Sequence, residues 1–279
     1  MLPVLRSVAS LREQVAAWRR DGLRIAFVPT MGALHDGHLS LVAHGLETAD
    51  RVLVSIFVNP TQFGPNEDFA AYPRTEEADL AKLRQAGAHA VYAPAVEEMY
   101  PPGASTTVTV AGITDSMDGV FRPGHFAGVA TVVAKLLNQA QPDVALFGEK
   151  DFQQLQVIKR LTRDLDIPVA IRGVPTHREA DGLAMSSRNA YLSPAERAIA
   201  PTLHRVLQEI AGKLRDGADA SPLLKKGIED ITKAGFASVD YLDLRAVDDL
   251  AALDRLDRPA RLLVAARLGR ARLIDNIPV

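Results

Sequence analysis

The chain has 279 residues, long enough for two hydrophobic cores, and its 47% hydrophobic and 24% charged content is that of an ordinary folded protein. Its 32 Lys and Arg against 34 Asp and Glu leave a formal net charge of −2, so no basic field exists to attract nucleic acid or an anionic membrane. The absence of cysteine excludes disulfides, thiolate metal ligands and a thiol nucleophile.

The first residues, Met1-Leu2-Pro3-Val4-Leu5-Arg6, lead into a charged helical pattern, with Glu13 and Arg19 where a secretory signal would need apolar residues, so a cytoplasmic location is expected. No stretch approaches the roughly 18 apolar residues of a membrane span; even Val129 to Leu137 is short and interrupted by Lys135.

A first helix is predicted over Ser10 to Arg20, with Leu11, Val15 and Trp18 on one face. Apolar runs and helical patterns then alternate. The predicted strands are Arg24 to Val28, Val52 to Val58, Ala90 to Ala93, Val144 to Phe147 and Val169 to Val174, and the predicted helices are His38 to Thr48, Thr75 to Gln85, Phe126 to Gln139 and Asp151 to Asp164. Nearly continuous apolar strands separated by helices imply a Rossmann-like, doubly wound parallel sheet covered on both faces. The segment from Pro94 to Pro123 breaks this rhythm, and its β-branched Thr106 to Val110 reads as an edge strand or a subunit contact. Beyond His177 the pattern becomes helices at Pro194 to Arg215 and Pro222 to Ala234, then strands near Val239 to Leu244, Arg261 to Leu268 and Arg270 to Ile274, the last two joined by a hairpin at Leu268-Gly269-Arg270. The expected division is a nucleotide-binding domain at 1–176 and a smaller α+β lid domain at 177–279.

In such sheets ligands bind where strands end. After the strand at Arg24 to Val28 comes Thr30-Met31-Gly32-Ala33-Leu34-His35-Asp36-Gly37-His38, which opens a helix. Amides at a helix start lack intrahelical acceptors and attract phosphate, two glycines allow close approach, and two imidazoles can donate to charge that develops at a phosphorus under attack. After the second strand, Asn59-Pro60-Thr61-Gln62 places neutral amides at a strand end, suited to hydroxyl and carboxylate recognition; read alone, Asn-Pro is a turn opener. Gly148-Glu149-Lys150-Asp151 follows the strand ending at Phe147, where a lysine opposes the helix dipole unless an anion accompanies it. Met185-Ser186-Ser187-Arg188-Asn189 reads either as a polar linker or as a clamp for phosphate oxygens. Arg122 and His125 stand at another helix start, with anion binding, capping and packing all open to them, and Asp79 lies in a first turn as a candidate metal ligand.

The segments T-M-G-A-L-H-D-G-H, N-P-T-Q-F-G, Y-P-R-T-E-E-A-D, R-P-G-H-F-A-G-V, G-E-K-D-F-Q-Q-L and M-S-S-R-N occur in this order, followed by D-Y-L-D-L-R and R-L-L-V-A-A-R-L-G. Together they resemble, nearly end to end, the pantoate–β-alanine ligases of the H-x-G-H nucleotidyltransferase group. The resemblance implies that the pantoate carboxylate attacks ATP and β-alanine then displaces AMP from pantoyl adenylate, with magnesium on the phosphates and a homodimeric state. It implies His38, His35 and Lys150 as catalytic groups. Thr30, Met31, Gly32, Ala33, Leu34, His35, Asp36, Gly37, Gly148, Glu149, Lys150, Asp151, His177, Met185, Ser186, Ser187 and Arg188 would bind ATP. Gln62 and Gln154 would hold pantoate, with Asn59, Arg122 and His125 at the pantoate and β-alanine end. Two positions depart from the pattern: Ala78 stands where some relatives carry an acid, which weakens the metal assignment to Asp79, and His177 replaces a familiar apolar residue, leaving a contact through its backbone. The competing readings are an adenylyltransferase acting on a phosphate ester and a non-catalytic adenylate sensor.

Overall fold

The structure is a computed structural model and describes residues 2–65 and 67–279. It separates into two compact units, Met1–Glu149 with Gln153–Pro175, and Lys150–Phe152 with Thr176–Val279.

The first unit runs β1 (Val4–Leu5), α1 (Val8–Arg20), β2 (Ile25–Thr30), α2 (Asp36–Thr48), β3 (Arg51–Ile56), a 3-10 turn (Pro60–Gln62), α3 (Glu76–Gln85), β4 (Ala90–Tyr92), α4 (Val96–Met99), α5 (Asp118–Phe121), α6 (His125–Ala140), β5 (Val144–Gly148), α7 (Phe152–Asp164) and β6 (Ala170–Val174). All its strands pair in parallel, in the order β1-β4-β3-β2-β5-β6. The doubly wound sheet expected from the apolar runs is present. Ala26, Val28, Val52 and Val54 on one face pack with Leu41 and Val42 of α2 and Leu83 of α3, while α1 packs against α6. Burial on both faces is why these strands read as unbroken apolar runs instead of alternating ones.

Between β2 and β5 the winding reverses direction, so Thr30 and Gly148 end the two strands that flank the switch point, the usual place for a ligand crevice in such sheets. The two-residue β1 is too short to show a period. Thr106 to Val110, read as an edge strand or a subunit contact, forms no strand: the Val108 amide donates to the Thr131 hydroxyl at 2.9 Å. β-branched residues favour a pleated surface only where another strand is present to pair with.

In the second unit the predicted first helix is split by Pro201 into α8 (Pro194–Ile199) and α9 (Thr202–Arg215), followed by α10 (Ala220–Lys233). The antiparallel sheet β7 (Ser238–Ala246), β8 (Ala260–Leu268) and β9 (Ala271–Pro278) follows. Leu268 pairs with Ala271 around a Gly269-Arg270 turn, Gly269 at φ 54°, as the hairpin reading expects. Leu203, Val206, Leu207 and Ile210 of α9 join Leu242, Leu262 and Val264 in this unit's own core.

Candidate active site

At the end of β2 the chain bends through Gly32 and Ala33, at φ 80° and 50°, before α2 begins. A non-glycine residue in the left-handed region costs about 1–2 kcal/mol, so something must hold Ala33 there. Asp79 does: fully buried, it accepts the Ala33 amide at 2.9 Å on one oxygen and the Leu34 amide at 2.8 Å on the other, with the Thr75 hydroxyl at 3.2 Å. Lys82, one turn further along α3, donates to the Leu34 carbonyl. Gly32 donates to the Thr30 hydroxyl at 3.2 Å, and that hydroxyl donates to the Ser55 carbonyl at 2.6 Å. The amides of Gly32, Ala33 and Leu34 are therefore committed within the protein. Those of Asp36 and Gly37, first in α2, have no acceptor among the described residues. Asp79, a candidate metal ligand from sequence, uses both oxygens as the brace of this bend.

His35 caps α2 and His38 stands one turn in, their ring centroids 4.1 Å apart and tilted by 42°. The His35 amide donates to His38 Nδ1 at 3.3 Å. In the neutral ring Nδ1 is then the acceptor, which puts the proton on Nε2 and makes Nε2 the donor.

The neighbouring 3-10 turn is built around Asn59, which is 1% exposed. Its oxygen accepts from the Thr61 amide at 3.4 Å, the Thr61 hydroxyl at 3.0 Å and the Tyr100 hydroxyl at 2.8 Å, and its Nδ2 donates to Gln62 Oε1 and the Gly128 carbonyl, each at 3.1 Å. Gln62 in turn points its Nε2 at Met31 Sδ, 3.1 Å away, so the turn and the histidine loop touch. A Cβ on Gly128 would lie 2.3 Å from the Thr61 carbonyl oxygen and 2.7 Å from Gln62 Cα, an approach that only glycine permits. Behind this, Arg122 makes a two-pronged pair with Glu67, both bonds 2.7 Å, and donates to His125 Nε2 at 2.9 Å; His125 Nδ1 then donates to the Gln62 carbonyl at 2.9 Å. Burial, reinforced by the Arg122 cation, pushes the His125 pKa down to about 4, so the ring is neutral. Asn59, Arg122 and His125 thus hold Gln62 in place. Gln153 is buried and ties Ile113, Ser116 and Asp118 together, whereas Gln154 beside it is half-buried.

Gly148 does not occupy the left-handed region, and a Cβ there would meet nothing within 4 Å, so no turn demands a glycine at this position. In the second unit Lys150 lines one recess with Ala184, Ser186, Asn189 and Asp275, and its ammonium lies 3.8 Å from Asp151. The loop carrying the serines is a small hairpin: Arg178 bridges Ala184, and the Met185 amide donates to the carbonyl of His177, whose side chain is exposed. Ser186 caps a 3-10 turn over Ser187–Tyr191 by accepting from the Arg188 amide at 3.3 Å. His35, His38, Met31 and Gln62 are brought together in one unit, Lys150 and Ser186 in the other. Glu67, Tyr100, Asp275 and Asn276 had no local sequence signal; their partners lie far away along the chain.

Two imidazoles at a strand-to-helix junction, at the switch point of a doubly wound sheet, place the chain among α/β proteins that handle nucleotides. The family described as pantoate-beta-alanine ligase matches residues 3–278. A pantothenate synthetase of Paramagnetospirillum magneticum is 64% identical over 276 residues, 99% of this chain and 97% of that protein. Among solved structures, pantothenate synthetase from Thermus thermophilus superposes with a TM-score of 0.93 at 47% identity, covering 99% of each chain. The Francisella tularensis pantoate-beta-alanine ligase, complexed with beta-gamma ATP and beta-alanine, does so with a TM-score of 0.85 at 33% identity, covering 100% of this chain and 98% of that one. The chain belongs to the pantoate–β-alanine ligase family, and it is an enzyme of the ligase class.

Proposed function

We propose that this enzyme condenses (R)-pantoate with β-alanine through a pantoyl-adenylate intermediate, releasing AMP and pyrophosphate. The observation that carries the reading is the His35–His38 pair at the opening of α2, with Nε2 the protonated nitrogen of the neutral His38 ring. A carboxylate cannot lose oxide to an amine; converting it to a mixed anhydride with AMP supplies the leaving group. As the pantoate oxygen attacks the α-phosphorus and the bond to pyrophosphate breaks, negative charge grows on the phosphate oxygens, and preorganised donors stabilise it. We assign that task to His38, His35 and Lys150. The Thr30–Gly37 loop, with the Asp36 and Gly37 amides that have no acceptor among the described residues, the Gly148–Asp151 segment and Met185–Arg188, with the backbone of His177, would hold ATP. Gln62 and Gln154 present neutral amides to the hydroxyls and carboxylate of pantoate, with Asn59, His125 and Arg122 supporting Gln62 from behind.

Magnesium fits as an ion carried in on the nucleotide: among the described residues no group of three His, Asp or Glu side chains forms a cage for it, and such an ion takes its ligands mainly from phosphates and water. When bound, it neutralises phosphate charge. A homodimer is the state that the family resemblance implies.

Exchange of labelled pyrophosphate into ATP tests the reading. It should require pantoate, and adding β-alanine should yield AMP. Formation of ADP with orthophosphate would sink the proposal, and exchange supported only by a phosphomonoester would make the enzyme an adenylyltransferase.

A further inference from the structure

Lys150 lies on the segment that joins β5 to α7, yet Lys150–Phe152 folds with the second unit. What holds it there is Asn276 of β9, which is 2% exposed. Its Nδ2 donates to the Lys150 carbonyl at 2.9 Å, its Oδ1 accepts from Arg261 of β8, and its own carbonyl accepts from Arg178 at 3.1 Å. The Arg261 guanidinium, itself buried, lies 4.2 Å from the centroid of the Phe152 ring. The segment is therefore pinned twice, at the carbonyl of Lys150 and at the ring of Phe152.

Burying an amide and a guanidinium contributes little to stability compared with apolar residues of the same size, because desolvation offsets the bonds gained. What such a network supplies is direction. A lysine side chain has four rotatable bonds, and the volume its ammonium can reach is set by where its backbone is fixed. The adjacent Asp275 completes the arrangement: it pairs with Arg178 through two bonds of 2.7 and 2.8 Å, and Arg178 also donates to the Gly182 carbonyl at 3.0 Å, inside the hairpin that leads to Ser186. Lys150 and Ser186 line the same recess, with Asp275 in its wall.

We propose that Asn276 is a positioning residue for the reaction: it acts through Lys150, setting the reach of that ammonium toward the transferring phosphate. This rests on the ligase reading above, with Lys150 at the phosphates. Displacing a catalytic group by about 1 Å costs up to roughly 100-fold in rate, so loss of a single anchoring bond is expected to cost about ten-fold.

Asn276→Asp tests this, because the carboxylate keeps the size and the Arg261 partner but has no hydrogen to give the Lys150 carbonyl. Pantoate-dependent pyrophosphate exchange should fall about ten-fold in kcat, with the KM for pantoate changed less than about two-fold. In a Lys150→Ala background the same substitution should add less than about a two-fold loss, since the group it positions is gone. Losses that multiply in the double variant would show a merely structural role and overturn the proposal. So would an unchanged kcat in Asn276→Asp. Should circular dichroism show that variant unfolded, Arg261→Lys replaces it, with about a three-fold loss expected that again vanishes beside Lys150→Ala. A wild-type enzyme without pantoate-dependent exchange would instead bring down the ligase reading itself, and this inference with it.

Discussion

The histidine loop and the lysine segment carry groups assigned to one reaction, but the protein fixes them by different means. His35 and His38 sit on a bend secured by backbone amides, one buried carboxylate and a bond from the His35 amide to its partner ring. Lys150 is secured from a distance of 126 residues along the chain, by the buried amide of Asn276, which is itself bonded to the buried Arg261. Short-range bracing follows from sequence neighbours and helix geometry. The long-range kind exists only after a sheet has formed, so it should fail with the sheet, while the loop should fail only when its own contacts are altered.

The largest expected effect lies on the lysine side. Asp275→Ala leaves the Arg178 guanidinium, 20% exposed, facing the place of a carboxylate that is only 4% exposed. Breaking such a pair from one side costs about 3–5 kcal/mol, to be read from denaturant unfolding. A loss below about 1 kcal/mol would mean that the ion pair does not secure this region.

On the loop side, His38→Ala should lower the rate of adenylate formation by about two orders of magnitude or more, with ATP affinity changed far less. Quench-flow rates and calorimetric binding measured on one preparation separate the two. Equal losses would reduce His38 to a binding group.

His125 gives a pH test of the Gln62 support. Its pKa in the folded protein, about 4, lies below the ordinary histidine value of about 6.5, so the unfolded chain binds more protons between these values. Its contribution is complete above about pH 6.5 and is lost as the pH falls toward 4, amounting to about 3 kcal/mol over the window. Unfolding measured across this range should show the slope, and a variant His125→Asn should flatten it. An unchanged slope would place the titration elsewhere.

A smaller and more selective effect is expected from Gly128→Ala. The added methyl must move the Thr61–Gln62 backbone, which should raise the KM for pantoate by about ten-fold while that for ATP changes by less than about two-fold. Equal changes in both would show that the turn serves the whole site.

Legibility in the sequence divides along the same line. The strand before Thr30 and the helix after His35 announce themselves through an apolar run and two glycines, and five strands of the doubly wound sheet lie within a few residues of their expected positions. Whether a polar residue faces a ligand or the protein's own backbone leaves no such mark. Asp79 and Asn59 sit at first-turn and strand-end positions suited to ligand contact, yet both are buried and bonded to the backbone around them. Gln153 and Gln154 are adjacent and identical in type, and only packing separates the buried one from the half-buried one. The predicted lid began at His177, whereas the second unit also takes Lys150–Phe152, because Asn276 and Arg261 approach that segment only after β8 and β9 have paired.

That small detour of the chain matters for anyone exchanging modules between homologues. A chimera cut at 175/176 would graft a foreign β9 onto a native Lys150 and leave the match between amide and carbonyl to chance. Transplanting Lys150–Phe152 together with the C-terminal portion keeps each pair of partners of common origin, so the second design should retain turnover where the first loses it.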